Sequence, residues 1–276
     1  MDKKDIYYLA INISHNASVA LMRNGVVVSA VLEERFSRKK NYVGYPKRSI
    51  DFCLQKEGIT GAQLERIACT TTYNPGIIIK AKTSTQFSLR DYMDYYGEKY
   101  YGPKIRGEDV CDYLRWLDQD LKFNEDEQYF DFSYLTDEVL QDPDKDVELF
   151  GIETVRCLAA QLGVAEEKIE FLDHHTCHAY YAYFGSPFRG KDCIALTLDS
   201  WGDGRNQTVW KVSEDKFELL SESQQNDIAR IYKIVTLILG MRPDEHEFKV
   251  MGLAPYAKEA YVARTMSVIE NLLNNS

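Results

Sequence analysis

The stretch that decides the fold is Ile6-Tyr7-Tyr8-Leu9-Ala10-Ile11-Asn12-Ile13-Ser14-His15-Asn16-Ala17-Ser18-Val19-Ala20-Leu21-Met22-Arg23-Asn24-Gly25-Val26-Val27-Val28-Ser29-Ala30-Val31-Leu32. Residues 6–13 are an almost continuous apolar run, the pattern of a buried strand. Ser14-His15-Asn16 reads as a tight turn, and 17–22 as a second strand. Asn24-Gly25 is a strong hairpin signal because both positions tolerate positive φ, and 26–32 is the third strand. The same arrangement recurs downstream. Residues 193–198 read as a buried strand and Asp199-Ser200-Trp201-Gly202-Asp203-Gly204 as a glycine-rich turn. Residues 207–212 and 217–222 follow as two more strands, parted by Glu214-Asp215. The repetition is one of architecture, not of sequence. It predicts a duplicated α/β fold with its two strand triplets in different sheets and a cleft between the halves.

Working outward, Pro46 opens a helix whose apolar positions Ile50, Cys53 and Leu54 share a face, and Gly58 ends it. Residues 67–72 read as a fourth strand and 169–172 as a further short one. Helical spacing covers 147–162, stopped by Gly163, and 174–184, closed by Gly185-Ser186-Pro187. Helices are expected near 227–239, 244–252 and 258–273. Domain boundaries follow: 1–190 as a first half carrying an insertion at about 75–150, and 191–276 as the start of a second half.

Of 276 residues, 45% are hydrophobic and 28% charged, the balance of a globular chain rather than a disordered one. No apolar run reaches the length of a membrane span. The N-terminus shows no signal core, so a cytoplasmic location is expected. The net charge of −10 is concentrated. Residues 91–150 hold 18 acidic and 6 basic residues and 8 of the 19 tyrosines, a net of −12, which leaves +2 elsewhere. That stretch reads as a helical insertion with a solvated acidic face. There is no basic stripe of the kind that grips nucleic acid. The six cysteines, Cys53, Cys69, Cys111, Cys157, Cys177 and Cys193, form no CxxC pair and read as reduced core residues.

Chemistry concentrates in four places. In Asp173-His174-His175-Thr176-Cys177-His178, a helix projects His174 and His178 from one face and turns His175 elsewhere. Two imidazoles so spaced can share a metal ion; a partly buried histidine cluster at a helix start fits the spacing equally. The position after the first histidine is His175, where a zinc protease of the zincin type requires Glu. Asp199, at a strand end, can add a carboxylate ligand or simply initiate a turn. Gly202 and Gly204 can let backbone N–H groups approach a phosphate. His15, in the first inter-strand turn, is a candidate general base or an exposed turn histidine. Lys249, in Glu245-His246-Glu247-Phe248-Lys249-Val250-Met251-Gly252-Leu253-Ala254-Pro255-Tyr256, either faces a nucleotide or is a surface charge.

Five segments occur in a telling order: His15-Asn16-Ala17-Ser18; Glu33-Glu34-Arg35-Phe36-Ser37-Arg38-Lys39; His174-His175-x-x-His178-Ala179; Asp199-x-x-Gly202-Asp203; and Lys249-Val250-Met251-Gly252-Leu253-Ala254-Pro255-Tyr256. Together they resemble the O-carbamoyltransferases of the nodulation and antibiotic-tailoring type, over most of the chain outside 75–150. The resemblance implies an actin/hexokinase-like fold of two ribonuclease-H-like halves around a nucleotide cleft. It implies that a C-terminal domain makes carbamoyl adenylate from carbamoyl phosphate and ATP, and that the N-terminal domain passes the carbamoyl group to a hydroxyl of a small-molecule acceptor. It further implies a divalent metal, Fe2+, held by His174, His178 and Asp199, with His15 as catalytic base.

Asn16 departs from the family's usual Asp. Family members are also much longer, so the chain is expected to be truncated in its second half and to need a protein part supplying the rest. The competing readings are a metal-dependent ATPase or sugar kinase of the same fold, which needs no histidine pair, and a catalytically inactive nucleotide-binding remnant.

Overall fold

A computed structural model describes residues 5–84, 88–110, 129–226 and 228–273. The chain divides into two compact units: residues 1–86 with 111–174, and residues 87–110 with 175–276. Part of the acidic segment, 111–128, and with it Cys111, lies outside the described residues.

The first unit is built on a five-stranded mixed sheet in the order β3-β2-β1-β4-β5. Strands β1 (Tyr7–Asn12), β2 (Ser18–Arg23) and β3 (Val26–Leu32) form an antiparallel meander, with Leu9 opposite Leu21 and Ala20 opposite Ala30. Asn24 (φ 52°) and Gly25 (φ 82°) make the left-handed two-residue turn expected from their tolerance of positive φ. Strands β4 (Leu64–Thr70) and β5 (Ile169–Leu172) then add in parallel beside β1. Three antiparallel strands extended by two parallel ones form the ribonuclease-H-like half implied above, with β4 three residues earlier than the apolar pattern suggested.

One face of this sheet carries the core. Leu9 and Ile11 are 1% exposed and pack with Val19, Leu21, Ile50, Ile67, Phe150 and Leu158. The other face is open at Tyr8 and Ala10, so β1 is not the doubly buried strand its apolar run suggested. An apolar run reports composition, while successive side chains go to opposite faces whatever they are.

Helices close the core face, and carboxylates set their starts. Helix α1 (Lys47–Glu57) begins where the buried Glu33 carboxylate accepts hydrogen bonds from Ser49 N (2.8 Å), Ser49 Oγ (2.6 Å) and Arg48 N (3.3 Å). Helix α2 (Gly76–Ser84) begins where Asp146 accepts from Gly76 N (3.0 Å) and Ile77 N (3.1 Å). Glycine at residue 76 leaves room for the Tyr134 hydroxyl and the Asp146 carboxylate, which a Cβ would crowd. Asp146 lies on α3 (Pro143–Leu162). That helix starts four residues before the expected Val147, because Asp142 caps Lys145 N and Pro143 suits a first turn.

The second unit holds a separate antiparallel sheet, β6 (Cys193–Gly202), β7 (Arg205–Ser213) and β8 (Lys216–Ser223), in the order β6-β7-β8. The two strand triplets are thus in different sheets. Helix α4 (His174–Phe184) packs on one face through Ala179 and Tyr183 against Ala195 and Val212. The unit boundary falls after His174, the first residue of α4, whose continuous backbone carries His174 with the rest of that helix. On the opposite face of β6, Ile194, Leu196 and Leu198 are 59%, 53% and 48% exposed. Helices α5 (Ile228–Ile238), α6 (Glu247–Leu253) and α7 (Glu259–Leu273) follow. In this unit the chain is helical from Leu89 to Arg106, across the start of the acidic segment, and includes a wider π-helical stretch, Asp94–Tyr101. No described helix is long and apolar enough to cross a membrane.

Candidate metal centre

Helix α4 starts at the first histidine of the cluster, so the four-residue spacing becomes one helical face. His174, His178 and Asp199 each present a ligand atom, and these atoms lie within 4.8 Å of one another. His178 Nε2 stands 3.4 Å from Asp199 Oδ2. The other carboxylate oxygen, Oδ1, accepts a 2.6 Å hydrogen bond from Ser200 N, which fixes the plane of the group. Two donors about 2.0–2.2 Å from one ion stand about 3.0–3.4 Å apart at ordinary coordination angles. The His178–Asp199 separation therefore fits a shared ion without rearrangement. Two imidazoles and one carboxylate are also the donor set that leaves open positions on a divalent transition metal.

Asp199 does not sit in a glycine-rich turn, as its sequence suggested. Strand β6 continues to Gly202, with an irregularity in register between Leu198 and Gly202, and the turn proper is only Asp203-Gly204. The irregular stretch releases Asp199 from the regular pleat.

His175 anchors the assembly. It is 0% exposed and faces the sheet, away from the cluster. Its Nε2 lies 3.1 Å from the Arg205 carbonyl, which can only accept, so Nε2 carries the proton. Its Nδ1 then accepts from the Thr197 hydroxyl at 2.7 Å. Thr197 Oγ1 accepts from Thr208 (2.6 Å), and Thr208 Oγ1 accepts from the Trp210 indole N–H (2.7 Å). The chain runs in one direction from indole to carbonyl, and the neutral imidazole uses every donor along it. It ties the first turn of α4 to β6 and β7, and so orients His174 and His178. Nothing at Thr197 or Thr208 marks this role in the sequence.

The remaining candidates are placed as follows. His15 is exposed, in a loop that Asn12 organises. Asn12 Nδ2 donates to the carbonyls of His15 (2.9 Å) and Asn16 (3.3 Å). Asn12 Oδ1 accepts from Ser14 N, Ser14 Oγ and Thr70 Oγ1. Asn16, at φ 57°, sets its amide 3.0 Å from His15 Nδ1. Gly202 is buried and pairs with Arg205, while Gly204 (φ 79°) closes the β6–β7 hairpin with Asp203 (φ 48°). A side chain at 204 would meet open space, so φ alone is the reason for glycine there. Lys249 is exposed, with Nζ 5.9 Å from the centre of the Phe248 ring. The described cysteines are free thiols, with Cys53 and Cys69 buried.

Residues 8–276 match the family model of the carbamoyltransferase N-terminus. The chain belongs to that family. An uncharacterized protein of Synechocystis, sll1178, is 26% identical over 265 residues, covering 94% of this chain and 35% of that protein. The nodulation protein NolNO of Sinorhizobium fredii is 26% identical over 264 residues, covering 95% of this chain and 30% of that one. This carbamoyltransferase N-terminal chain thus spans about a third of the length of these relatives. Among solved structures, YeaZ from Pseudomonas aeruginosa aligns with 81% of the chain and 70% of its own, at a TM-score of 0.33 and 9% identity. The assignment of the first sheet rests on its strand order, not on that superposition.

Proposed function

We propose that this chain is the metal-holding, acceptor-processing part of an O-carbamoyltransferase. The observation that supports it most directly is the convergence of His174, His178 and Asp199 donors within 4.8 Å, in a chain of this family. His174, His178 and Asp199 hold a divalent ion, Fe2+ by the family resemblance. The bound ion supplies Lewis-acid charge at the carbamoyl donor.

The donor is carbamoyl adenylate, made from carbamoyl phosphate and ATP by a domain beyond the third of the relatives that this chain matches. The acceptor is a small molecule with a hydroxyl. In the transfer, the acceptor oxygen forms a bond to the carbamoyl carbon, the carbon–oxygen bond to the adenylate phosphate breaks, and adenosine monophosphate leaves with that electron pair. His15 takes the hydroxyl proton. To accept it at Nε2, the imidazole must carry its other proton on Nδ1, facing the Asn16 amide oxygen. A half-turn of the Asn16 amide provides that arrangement. Lys249 belongs to the nucleotide side of this reading.

The test is metal stoichiometry on the intact chain, loaded with Fe2+ without oxygen. The expected result is one ion per chain, lost in His174→Ala and His178→Ala and retained in His15→Ala. Equal metal content in all three variants overturns the ligand assignment. Retained carbamoyl transfer by His15→Ala in the complete enzyme overturns the base assignment.

A further inference from the structure

The open face of the first sheet carries a groove of about 520 Å³ that the reading above does not use. Its floor holds Ala10, Ala20 and Ala30, which stand opposite one another on β1, β2 and β3. Three methyl groups in a row across the strands leave the space that longer side chains on this face would fill. The volume is that of a small-molecule site, about 300–1,000 Å³. Beyond the alanines the lining turns polar, with Asn12, Ser18 and Thr70. Thr70 Oγ1 donates to Asn12 Oδ1 at 3.3 Å and keeps its lone pairs for a further donor. The half-buried Ser18 hydroxyl makes no hydrogen bond among the described residues.

Among the described residues that line the groove, Arg35 is the one with a charge. It lies on the short helical turn Glu34–Ser37. Just before that turn, Glu33 N donates to the Ala17 carbonyl at 2.9 Å, which ties it to the chain two residues after His15. Glu34 Oε1 stands 3.8 Å from Arg35 Nη2, beyond hydrogen-bond reach. Arg35 makes no hydrogen bond and no other ion pair among the described residues. Its guanidinium therefore brings donors suited to a carboxylate or phosphate, and no lining residue brings a negative charge to oppose one.

Position decides which substrate the groove serves. Asn12 lines it and also donates from Nδ2 to the His15 carbonyl at 2.9 Å. A molecule in the groove thus lies beside the loop of the proposed base, whose task is to take a proton from the acceptor. We infer that the groove binds the acceptor, and that the acceptor is a small polyhydroxylated acid, with its anionic group on Arg35 and its hydroxyls toward Ser18 and Thr70. The inference rests on the reading of His15 as base, and it adds to that reading the chemical class of the acceptor.

The experiment is ligand-observed magnetic resonance titration of the intact chain with glucuronate, glucose 6-phosphate, glucose and adenosine monophosphate as probes. The variants are Arg35→Gln and Ala20→Leu, each checked for an unchanged melting temperature. Residue 35 is exposed and residue 20 lies on the open face, so neither change disturbs the core. The two acids are expected to bind about fivefold more tightly than glucose, the upper range for an exposed ion pair. Arg35→Gln should erase that preference and leave glucose unchanged. Ala20→Leu should weaken all three sugars by filling the floor of the groove.

Failure of both acids to bind more tightly than glucose overturns the inference, and so does an acid preference that survives in Arg35→Gln. Displacement of glucuronate by adenosine monophosphate also overturns it, since the groove would then belong to the donor. His15→Ala separates the inference from the reading beneath it. The base assignment stands or falls on carbamoyl transfer by the complete enzyme, whereas acid binding by His15→Ala is expected to match the unaltered chain.

Discussion

Strands β1–β3 and β6–β8 are both antiparallel meanders, yet they are finished differently. The first is extended by two parallel strands and has Leu9 and Ile11 sealed against helices. The second stays three strands wide, has β6 at its edge, and leaves Ile194, Leu196 and Leu198 half exposed on one face. The candidate chemistry follows the difference. In the first meander the candidate base, His15, sits on the loop after β1, whose backbone Asn12 holds. In the second, the turn is a two-residue hairpin with no room for such a residue. The candidate ligand instead comes from an irregular stretch of strand, and its partners from the helix packed beside it. The same supersecondary unit thus presents its candidate residue on a loop in the first unit, where the loop is long, and on a strand irregularity in the second, where the turn is tight.

The sharpest way to break this comparison is to truncate matching leucines. Leu9→Ala is expected to cost about 3–5 kcal/mol, as buried Leu-to-Ala changes do. Leu196→Ala should stay within about 0.5 kcal/mol in the isolated chain. Urea unfolding of the two variants decides it, and equal losses would mean that the outer face of β6 is covered in solution.

Next in size is Asp146, which starts α2 in the first unit by accepting three hydrogen bonds. Asp146→Asn places a donor where acceptors are required, for an expected loss of about 1–3 kcal/mol. Burial, opposed by those hydrogen bonds, raises the Asp146 pKa above its ordinary 3.8. The native state therefore keeps this proton to higher pH than the unfolded chain does. The contribution from Asp146 is most favourable below pH 3.8 and falls as pH rises through the raised value. Denaturation as a function of pH should show that downward step in the unaltered chain and not in Asp146→Asn.

Smaller still is Thr197→Val in the second unit, which removes the hydroxyl between His175 and Thr208. It should cost about 1–2 kcal/mol and weaken metal binding without touching a ligand. Calorimetry with Co2+ checks it against Asn12→Ala, which should leave metal binding unchanged because the bonds of Asn12 go to the His15 loop and to Thr70. Equal effects of the two on metal affinity would show that the loop and the strand irregularity are not separate devices. The smallest effect is a rate. Burial pushes the Cys69 and Cys157 thiols up to about 12, so both should react far more slowly than a free thiol with a disulfide reagent at pH 8. Mass mapping of the modified sites reads this directly.

Much of this was legible in the residues. Asn24-Gly25 announced its hairpin because both residues tolerate left-handed backbone, and 174–184 formed the expected helix, which made the His174/His178 pair a matter of helical period. The extent of β6 was not legible. Gly202 and Gly204 suggested a phosphate loop, but tertiary pairing with Arg205 carried the strand to Gly202 and left Gly204 the plain task of adopting positive φ. The roles of Asn12, Thr197 and Thr208 were also hidden, since an asparagine or threonine near a strand end carries no signal of what it will bond.

What the sequence by itself determined is therefore local: the turns, the strand triplets, the helix that aligns two histidines, and the family-defining order of motifs. These depend on backbone preferences and periodicities that a few neighbouring residues set among themselves. What only the tertiary structure decided is which side chains meet across 20 or more residues: Asp199 with His178, His175 with Thr197, Arg230 with Trp201. Those meetings depend on which face of each element is buried and on where a strand loses its regularity, and both are set by packing rather than by any residue's own preference.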